Sequence, residues 1–286
     1  MANQRLERFY DGLQGFINTL VGARGKGKHP IKTLLNGTWL GHPLHPVITD
    51  VAIGGAVLAA VADVAWLAFP VTLAWAPRMA EVAVIAGIAG MLGSFLSGWT
   101  DWSDTYGRER STGILHGILN TLALILYSIS VVLRLSDPAG QSIVGAILGF
   151  IGLGIITFAA YLGGDLVFKL GVNVNHTAFE HGADDFVPVG ALADIPDNQL
   201  TRVVADGVPV VLVRHGDKIA AIAATCTHAG GPLDEGELLP NDVVKCPWHG
   251  SRFRMSNGRV VDGPATVSEP VYLVRVENGQ VALKRQ

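Results

Sequence analysis

Two short segments dominate this sequence: Cys226-Thr227-His228 and, after 17 intervening residues, Cys246-Pro247-Trp248-His249. The sequence contains only these two cysteines, so both of its thiols belong to one candidate site. Two thiolates and two neutral imidazoles can hold a 2Fe–2S cluster, with sulfur ligands on one iron and nitrogen ligands on the other. A structural zinc ion also accepts two cysteines and two histidines, but C-x-H is shorter than the usual zinc-finger spacing. The spacing therefore favours the cluster.

Residues 186–286 resemble a Rieske iron–sulfur domain of the ferredoxin type. The resemblance is carried by CTHAGGPL at 226–233, CPWHGSRF at 246–253 and the later Gly263-Pro264-Ala265. It implies that Cys226 and Cys246 bind one iron and that His228 and His249 bind the other. It also implies a small all-β fold in which the cluster loops lie at one tip.

Two positions depart from the respiratory Rieske proteins, in which an extra cysteine in each cluster loop forms a disulfide. The matching positions here are Gly231 and Trp248, so the loops must be held by packing and hydrogen bonds alone. Ser251 is retained, and its hydroxyl can donate a hydrogen bond to a cluster sulfur. Phe253 replaces the tyrosine that supplies a further donor in the respiratory proteins.

The composition indicates a membrane protein with a soluble appendage. Of the 286 residues, 49% are hydrophobic and 16% are charged, whereas soluble domains carry about 25% charged residues. The net charge of −3 gives no reason to expect a nucleic-acid partner.

Four apolar stretches are long enough to cross a bilayer, which takes about 20 helical residues. They cover residues 47–69, 79–98, 114–133 and 143–163. Beyond residue 186, short runs of mostly β-branched residues alternate with turn residues, which is typical of strands. The sequence therefore predicts a multi-domain protein with an N-terminal all-α four-helix transmembrane bundle and a C-terminal all-β Rieske domain.

The predicted boundaries are 1–41 for an amphipathic N-terminal surface segment, 42–170 for the transmembrane domain, 171–185 for a linker and 186–286 for the Rieske domain. The surface segment is predicted from an apolar stripe at helical spacing, which is typical of a helix lying on a membrane. The stripe consists of Leu6, Phe9, Tyr10, Leu13, Phe16, Ile17 and Leu20.

Glycines recur at helical spacing within the spans, as in the pair Gly145 and Gly149 and the series Gly87, Gly90 and Gly93. Small faces of this kind let helix backbones approach closely in lipid. They predict tight helix packing and, between chains, a homo-oligomer.

The distribution of basic residues predicts the orientation, because cytoplasmic loops are enriched in Lys and Arg. Nine basic residues fall on the side that carries both termini: Arg5, Arg8, Arg24, Lys26, Lys28, Lys32, Arg108, Arg110 and Lys169. The opposite side has Arg78 and Arg134. We therefore expect a multi-pass protein of the bacterial inner membrane whose Rieske domain faces the cytoplasm.

The membrane region resembles a family of small bacterial four-helix membrane domains of unknown function. The resemblance is carried by GHPLHP at 41–46, Gly163-Gly164-Asp165 and Gly171-Val172. It implies no established activity, so the polar residues of the spans must be interpreted from their chemistry.

Ionisable groups in a membrane usually mark a function. His42, His45 and Asp50 cluster at the start of the first span, and His116 lies in the third. One hypothesis is a b-type haem held between His116 and either His42 or His45. A second is a quinone site that uses His45 and Asp50, and the third is that these histidines are only solvated or hydrogen-bonded within the bundle.

These features predict a membrane-anchored electron-transfer protein and component of an oxidoreductase. Single electrons would pass between a membrane donor or acceptor, quinone or haem, and a redox partner protein, with membrane lipid around the bundle. The alternative is a membrane-tethered redox-sensing or binding module in which the bundle is only an anchor.

Overall fold

The computed structural model of this chain describes residues 2–23 and 29–286. Three of the basic residues used for the orientation, Arg24, Lys26 and Lys28, lie outside the described residues.

The chain forms two compact units. The helical unit consists of residues 2–20 and Leu44–Val172, and the β unit consists of Val21–Pro43 and Asn173–Gln286. The segment predicted as one surface piece, 1–41, is therefore divided between the two units. Its first helix packs on the membrane helices, while its described residues 21–23 and 29–41 belong to the β unit.

The β unit is built from ten strands within the described residues. They are β1 (Val187–Ala191), β2 (Leu200–Ala205), β3 (Val208–His215), β4 (Lys218–Ala223), β5 (Glu237–Leu239), β6 (Val243–Lys245), β7 (Arg252–Arg254), β8 (Val260–Asp262), β9 (Tyr272–Glu277) and β10 (Gln280–Arg285). They form three antiparallel sheets, with the orders β1-β10-β9, β2-β3-β4 and β5-β6-β7-β8. The predicted all-β domain is confirmed.

Both cysteines belong to one of the hydrophobic cores of the β unit. Cys226 and Cys246 are buried together with Val244 and Phe253, whose side chains have no exposed surface. One cysteine follows β4 and the other follows β6, so each sulfur is placed by the end of a strand. Close packing of this core limits the movement of both sulfurs.

Six α-helices lie in the described residues. They are α1 (Ala2–Leu20), α2 (Pro30–Asn36), α3 (Leu44–Ala68), α4 (Ala76–Trp102), α5 (Gly107–Leu135) and α6 (Ile143–Phe168). The last four are 25, 27, 29 and 26 residues long and are apolar enough to cross a membrane. The four predicted spans are therefore confirmed, and the helices extend beyond them at most ends.

The glycine faces are used inside the helical unit. A Cβ atom on Gly55 of α3 would lie 2.6 Å from the Cα atom of Gly87 on α4, so these backbones touch. Gly90 is buried against α3 as well. Between α5 and α6, the ring of Tyr127 packs on Gly152 in the same way. The small faces on which a homo-oligomer was predicted therefore already have partners within the chain.

Helix α1 is attached to the helical unit by polar contacts and by its buried apolar residues Tyr10 and Ile17, which pack with Trp102 and Ile114. Arg110 of α5 forms ion pairs with Glu7 and Asp11, and Gln14 donates to the carbonyl oxygens of Trp102 and Thr105 at 3.0 and 2.9 Å. Most of the predicted apolar stripe remains exposed: Leu6, Phe9, Phe16 and Leu20. This arrangement leaves an apolar face free for lipid.

A fully buried ion pair joins α3 to α5. Arg134 donates from its two terminal nitrogens to the two carboxylate oxygens of Asp63, at 2.8 and 2.5 Å, and neither side chain is more than 1% exposed. Ser130 accepts a further hydrogen bond from Arg134. Arg134 was counted among the basic residues at the opposite side of the membrane. It is instead a buried partner for Asp63, because an isolated charge among apolar helices would be costly.

Removing the charge of Asp63 leaves Arg134 buried without its counter-ion. We expect Asp63→Asn to destabilise the protein by about 3–5 kcal/mol, as for other buried pairs that lose one member. Thermal unfolding in detergent measures the effect. The control is Asp50→Asn, which changes an exposed carboxylate on the same helix, and equal melting temperatures for the two variants would contradict the prediction.

Candidate iron–sulfur site

The two cysteines lie at the start of two equivalent loops. The backbone N–H of Cys226 donates to the carbonyl oxygen of Gly231 at 2.8 Å, and that of Cys246 donates to the carbonyl oxygen of Ser251 at 2.8 Å. Each bond spans five residues and closes a loop that carries one cysteine and one histidine. The two sequence segments therefore fold into the same local structure.

A glycine completes each loop at the same position. Gly230 and Gly250 both have φ of +77°, a conformation that residues with a side chain rarely adopt. Their N–H groups donate back to the carbonyl oxygens of Cys226 and Cys246, at 2.8 and 3.2 Å. The glycines therefore let each loop turn tightly around its cysteine.

The loops bring the four predicted ligands together. The imidazole rings of His228 and His249 lie with their centroids 4.9 Å apart and their planes at 82°, and the thiols of Cys226 and Cys246 are hydrogen-bonded to each other. The Nδ1 atom of His228 is buried and has no hydrogen-bond partner among the described residues. The Nδ1 atom of His249 is buried too.

The surroundings lower the pKa of one thiol and one imidazole but raise the pKa of the other thiol. The hydrogen bond from Cys226 and the backbone N–H groups of Trp248 and His249 lower the pKa of Cys246 to about 7, against the effect of burial. The partner thiol, Cys226, has its pKa raised, first by this shared hydrogen bond and then by burial. Burial, followed by repulsion from His249, lowers the pKa of His228 to about 3. A thiolate and neutral imidazoles are the forms that bind iron.

The donor set fits a binuclear cluster. Among the described residues, no three His, Cys, Asp or Glu side chains converge on one metal ion. A 2Fe–2S cluster needs no such convergence, because its four protein ligands are divided between two irons. The buried Nδ1 atom of His228 is an atom that such a cluster would satisfy.

Trp248 takes the place of the respiratory disulfide. Its ring lies so close to Gly231 that a Cβ atom there would be 3.1 Å from the ring and 2.9 Å from the sulfur of Cys246. The indole of one loop therefore covers the backbone of the other. This contact holds the loops together by packing, as the absence of further cysteines requires.

Ser251 is fully buried and lies behind the second loop. Its oxygen accepts a hydrogen bond from the N–H of Ala265 at 3.0 Å, so its own proton remains to be donated. Phe253 has no exposed surface and belongs to the core, which explains how an apolar ring replaces the tyrosine.

Glu269 is a buried support of the first loop that the sequence analysis missed. Its carboxylate accepts a hydrogen bond from the backbone N–H of Thr227 at 2.7 Å, and the hydroxyl of Thr227 donates to the carbonyl oxygen of Val267 at 2.8 Å. Burial raises the pKa of Glu269 well above its usual range. No sequence signal marks it, because the contact joins residues 42 positions apart.

The helical unit brings two of the predicted histidines together. The rings of His45 on α3 and His116 on α5 are 6.1 Å apart between centroids. The Nδ1 atom of His45 faces the carbonyl oxygen of Ser94 at 3.0 Å, and that of His116 faces the carbonyl oxygen of Ala159 at 2.7 Å. These carbonyls assign the proton to Nδ1 and leave the lone pair on Nε2 in both rings.

The other two polar residues of this region lie elsewhere. His42 is exposed, and its Nδ1 atom faces the carbonyl oxygen of the adjacent Pro43 at 2.8 Å. Asp50 is exposed on α3. Asn120 lies beside His116, and its amide nitrogen is 3.2 Å from the Nε2 atom of that ring. His45 is therefore the histidine that pairs with His116.

Comparison with known proteins agrees with this division of the chain. Residues 185–278 match the family described as "Rieske [2Fe-2S] domain", and residues 41–176 match the family described as "Predicted membrane protein (DUF2231)". The fold and the site thus define an iron–sulfur electron-transfer domain joined to a membrane domain. The Rieske domain implies a 2Fe–2S cluster.

Individual relatives match about a third of this chain. Ferredoxin CarAc of Metapseudomonas resinovorans is 36% identical over 34% of this chain and 90% of its own length. The cytochrome b6-f complex iron-sulfur subunit of Chlorobaculum tepidum is 28% identical over 33% of this chain and about half (51%) of its own length. The ferredoxin of carbazole 1,9a-dioxygenase from Nocardioides aromaticivorans IC177 superimposes with a TM-score of 0.34, at 28% identity, over 35% of this chain and 98% of its own. The chain belongs to the Rieske [2Fe-2S] family.

Glu269 gives the β unit a defined pH dependence. The pKa of this carboxyl is raised in the folded state, so its charged form opposes folding. The resulting loss of folding free energy is absent below about pH 4.5, the ordinary pKa of a glutamate. It grows as the pH rises from there toward the pKa of the folded state. We therefore expect Glu269→Gln to melt at a higher temperature than the native protein at pH 8. One kcal/mol corresponds to about 4–8 °C for a domain of this size.

Circular dichroism melts at pH 4 and pH 8 measure the effect. The difference should shrink toward pH 4, where Glu269 is neutral in both states. Glu277→Gln, which alters a largely exposed carboxylate at the end of β9, is the control and should show no such trend. A pH-independent difference for Glu269→Gln would contradict the assignment.

Proposed function

We propose that this chain is a membrane-anchored electron-transfer protein whose 2Fe–2S cluster is held by Cys226, Cys246, His228 and His249. The sulfurs bind one iron and the two Nδ1 atoms bind the other. When bound, the cluster supplies one-electron chemistry in which no covalent bond of the protein breaks. The proposal is supported above all by the two equivalent loops, which bring two buried sulfurs and two half-buried imidazoles together.

The loops also stabilise negative charge on sulfur. Backbone N–H groups of Trp248 and His249 donate to the sulfur of Cys246, and that of His228 donates to the sulfur of Cys226. The unused hydroxyl proton of Ser251 is available as a further donor. Such hydrogen bonds favour the more negative, reduced state of a cluster.

The histidine pair of the helical unit is the proposed site of the membrane redox partner, a b-type haem or a quinone. Hydrogen bonds from Nδ1 to backbone carbonyls orient metal-ligating histidines in many proteins, which supports haem ligation by the Nε2 atoms of His45 and His116. The amide of Asn120, which uses one N–H group on the carbonyl oxygen of His116 at 2.9 Å, has a second N–H group that would instead hydrogen-bond a quinone oxygen. If neither ligand binds, the bundle is an anchor and the partner is another protein.

The location proposed for the chain is a bacterial inner membrane, with the β unit in the cytoplasm. Two basic residues were assigned to the opposite side, and one of them, Arg134, is buried in α5. Arg78 is therefore the one basic residue of this pair that counts at the opposite side, which strengthens the excess of basic residues on the side of the termini. The exposed apolar face of α1 supports a position of this helix at the membrane surface.

One set of measurements tests the electron-transfer function. Anaerobically purified protein should contain acid-labile sulfide and give a rhombic EPR signal after reduction. In proteoliposomes, two reduced molecules should reoxidise when a short-chain benzoquinone takes up their two electrons and two protons. We expect His45→Ala and His116→Ala to slow reoxidation about tenfold, a barrier change of ~1.4 kcal/mol, while His42→Ala leaves the rate unchanged.

The outcomes separate the alternatives. A pyridine haemochrome signal that disappears in His45→Ala identifies haem, whereas reoxidation without that signal identifies quinone. No reoxidation and no haem would leave the cluster but reduce the bundle to an anchor. Absence of labile sulfide would contradict the function as a whole.

Orientation is tested separately. A protease added to inverted vesicles should cleave the β unit, and the same protease added to spheroplasts should not. The reverse pattern would place the β unit outside the cytoplasm.

A further inference from the structure

A short segment outside both family matches packs on the cluster end of the β unit. Helix α2 and the 3-10 turn Thr38–Leu40 that follows it precede residue 41, where the first match begins. The Rieske match begins at residue 185, yet this segment belongs to the same β unit.

Asp262 anchors this segment. Its carboxylate accepts hydrogen bonds from the hydroxyl of Thr33 at 2.5 Å and from the backbone N–H of His29 at 3.3 Å, and Arg252 lies 3.6 Å away as a buried counter-ion. The hydroxyl of Thr38 donates to the carbonyl oxygen of Ala265 at 3.0 Å. The segment is thus fixed to the backbone that also donates to Ser251.

This docking places Lys32 beside the cluster loops. Its side chain is 6% exposed and lines the same cleft, of about 450 Å³, as Cys246, Trp248 and His249. The side chain of Lys32 therefore lies beside the second ligand loop, which carries Cys246 and His249, although Lys32 is outside the Rieske match.

The net charge of the cluster explains why a lysine beside it would affect the reduction potential. Two ferric irons, two sulfides, two thiolates and two neutral imidazoles sum to zero, and one added electron leaves a single negative charge. A nearby ammonium favours that reduced state, and burial protects the interaction from screening by salt.

We propose that Lys32, held in place by α2, is a tuning residue that raises the reduction potential of the cluster. This inference rests on the proposed function, since it needs the cluster in the loops. It assigns a role to residues 29–40: they complete the redox centre with a fixed positive charge.

The test is the midpoint potential of the full-length protein in detergent, measured by redox titration. We expect Lys32→Gln to lower the ratio of reduced to oxidised cluster about tenfold at a fixed poise, which is ~59 mV for a one-electron couple. Lys32→Arg, which keeps the charge, should stay near the native value. Lys218→Gln is the matched control, because Lys218 begins β4 about 16 Å of strand away from the end that leads to Cys226.

A second variant tests the docking. Thr33→Val removes the hydrogen bond to Asp262, so it should lower the potential in the same direction, and its combination with Lys32→Gln should add little. An unchanged potential in Lys32→Gln, with labile sulfide and the EPR signal intact, would overturn the inference while leaving the proposed function in place. Loss of labile sulfide in the native protein would instead remove the proposed function itself. If Lys32→Gln alone loses the cluster, an unchanged potential in Thr33→Val would overturn the inference.

Discussion

Two sulfurs and two imidazoles must meet at one place in the β unit without a disulfide to hold their loops. The structure meets this constraint by repetition: each loop begins at a cysteine, turns at a glycine with positive φ and closes through a backbone hydrogen bond to the cysteine N–H. The indole of Trp248 then covers Gly231, so the two loops support each other directly. Because the cysteines also belong to a packed core, the positions of the sulfurs are set by the sheets rather than by the loops alone.

The helical unit satisfies a different requirement, since polar groups among apolar helices need partners. Asp63 and Arg134 neutralise each other in two parallel hydrogen bonds, and the backbones of α3 and α4 touch through glycines. The two inward-facing histidines are each oriented by a carbonyl oxygen of a neighbouring helix. Four helices therefore contribute to one polar site, which is an arrangement that binds ligands in many helical bundles.

Local patterns in the sequence were sufficient for the two-part fold, the four spans and the four candidate ligands. These features depend on spacing within a few residues, as in C-x-H, or on long apolar runs. Contacts between distant residues were not predictable: Arg134 lies 71 positions from Asp63, and Glu269 lies 42 positions from Thr227. The contact of residues 29–40 with the β unit was missed for the same reason. Their basic and apolar residues are typical of a membrane-surface segment, and the sequence does not show that Thr33 lies beside Asp262.

Because the chain is synthesised from its N-terminus, the contact between Thr33 and Asp262 can form only late in synthesis. Thr33 and Asp262 are 229 positions apart, and the membrane helices lie between them in the sequence. At about 5–20 residues per second, Thr33 leaves the ribosome roughly 10–45 s before its partner exists. The segment around Lys32 is therefore made before all four spans, and it can dock only after the part of the β unit that contains Asp262 has been synthesised.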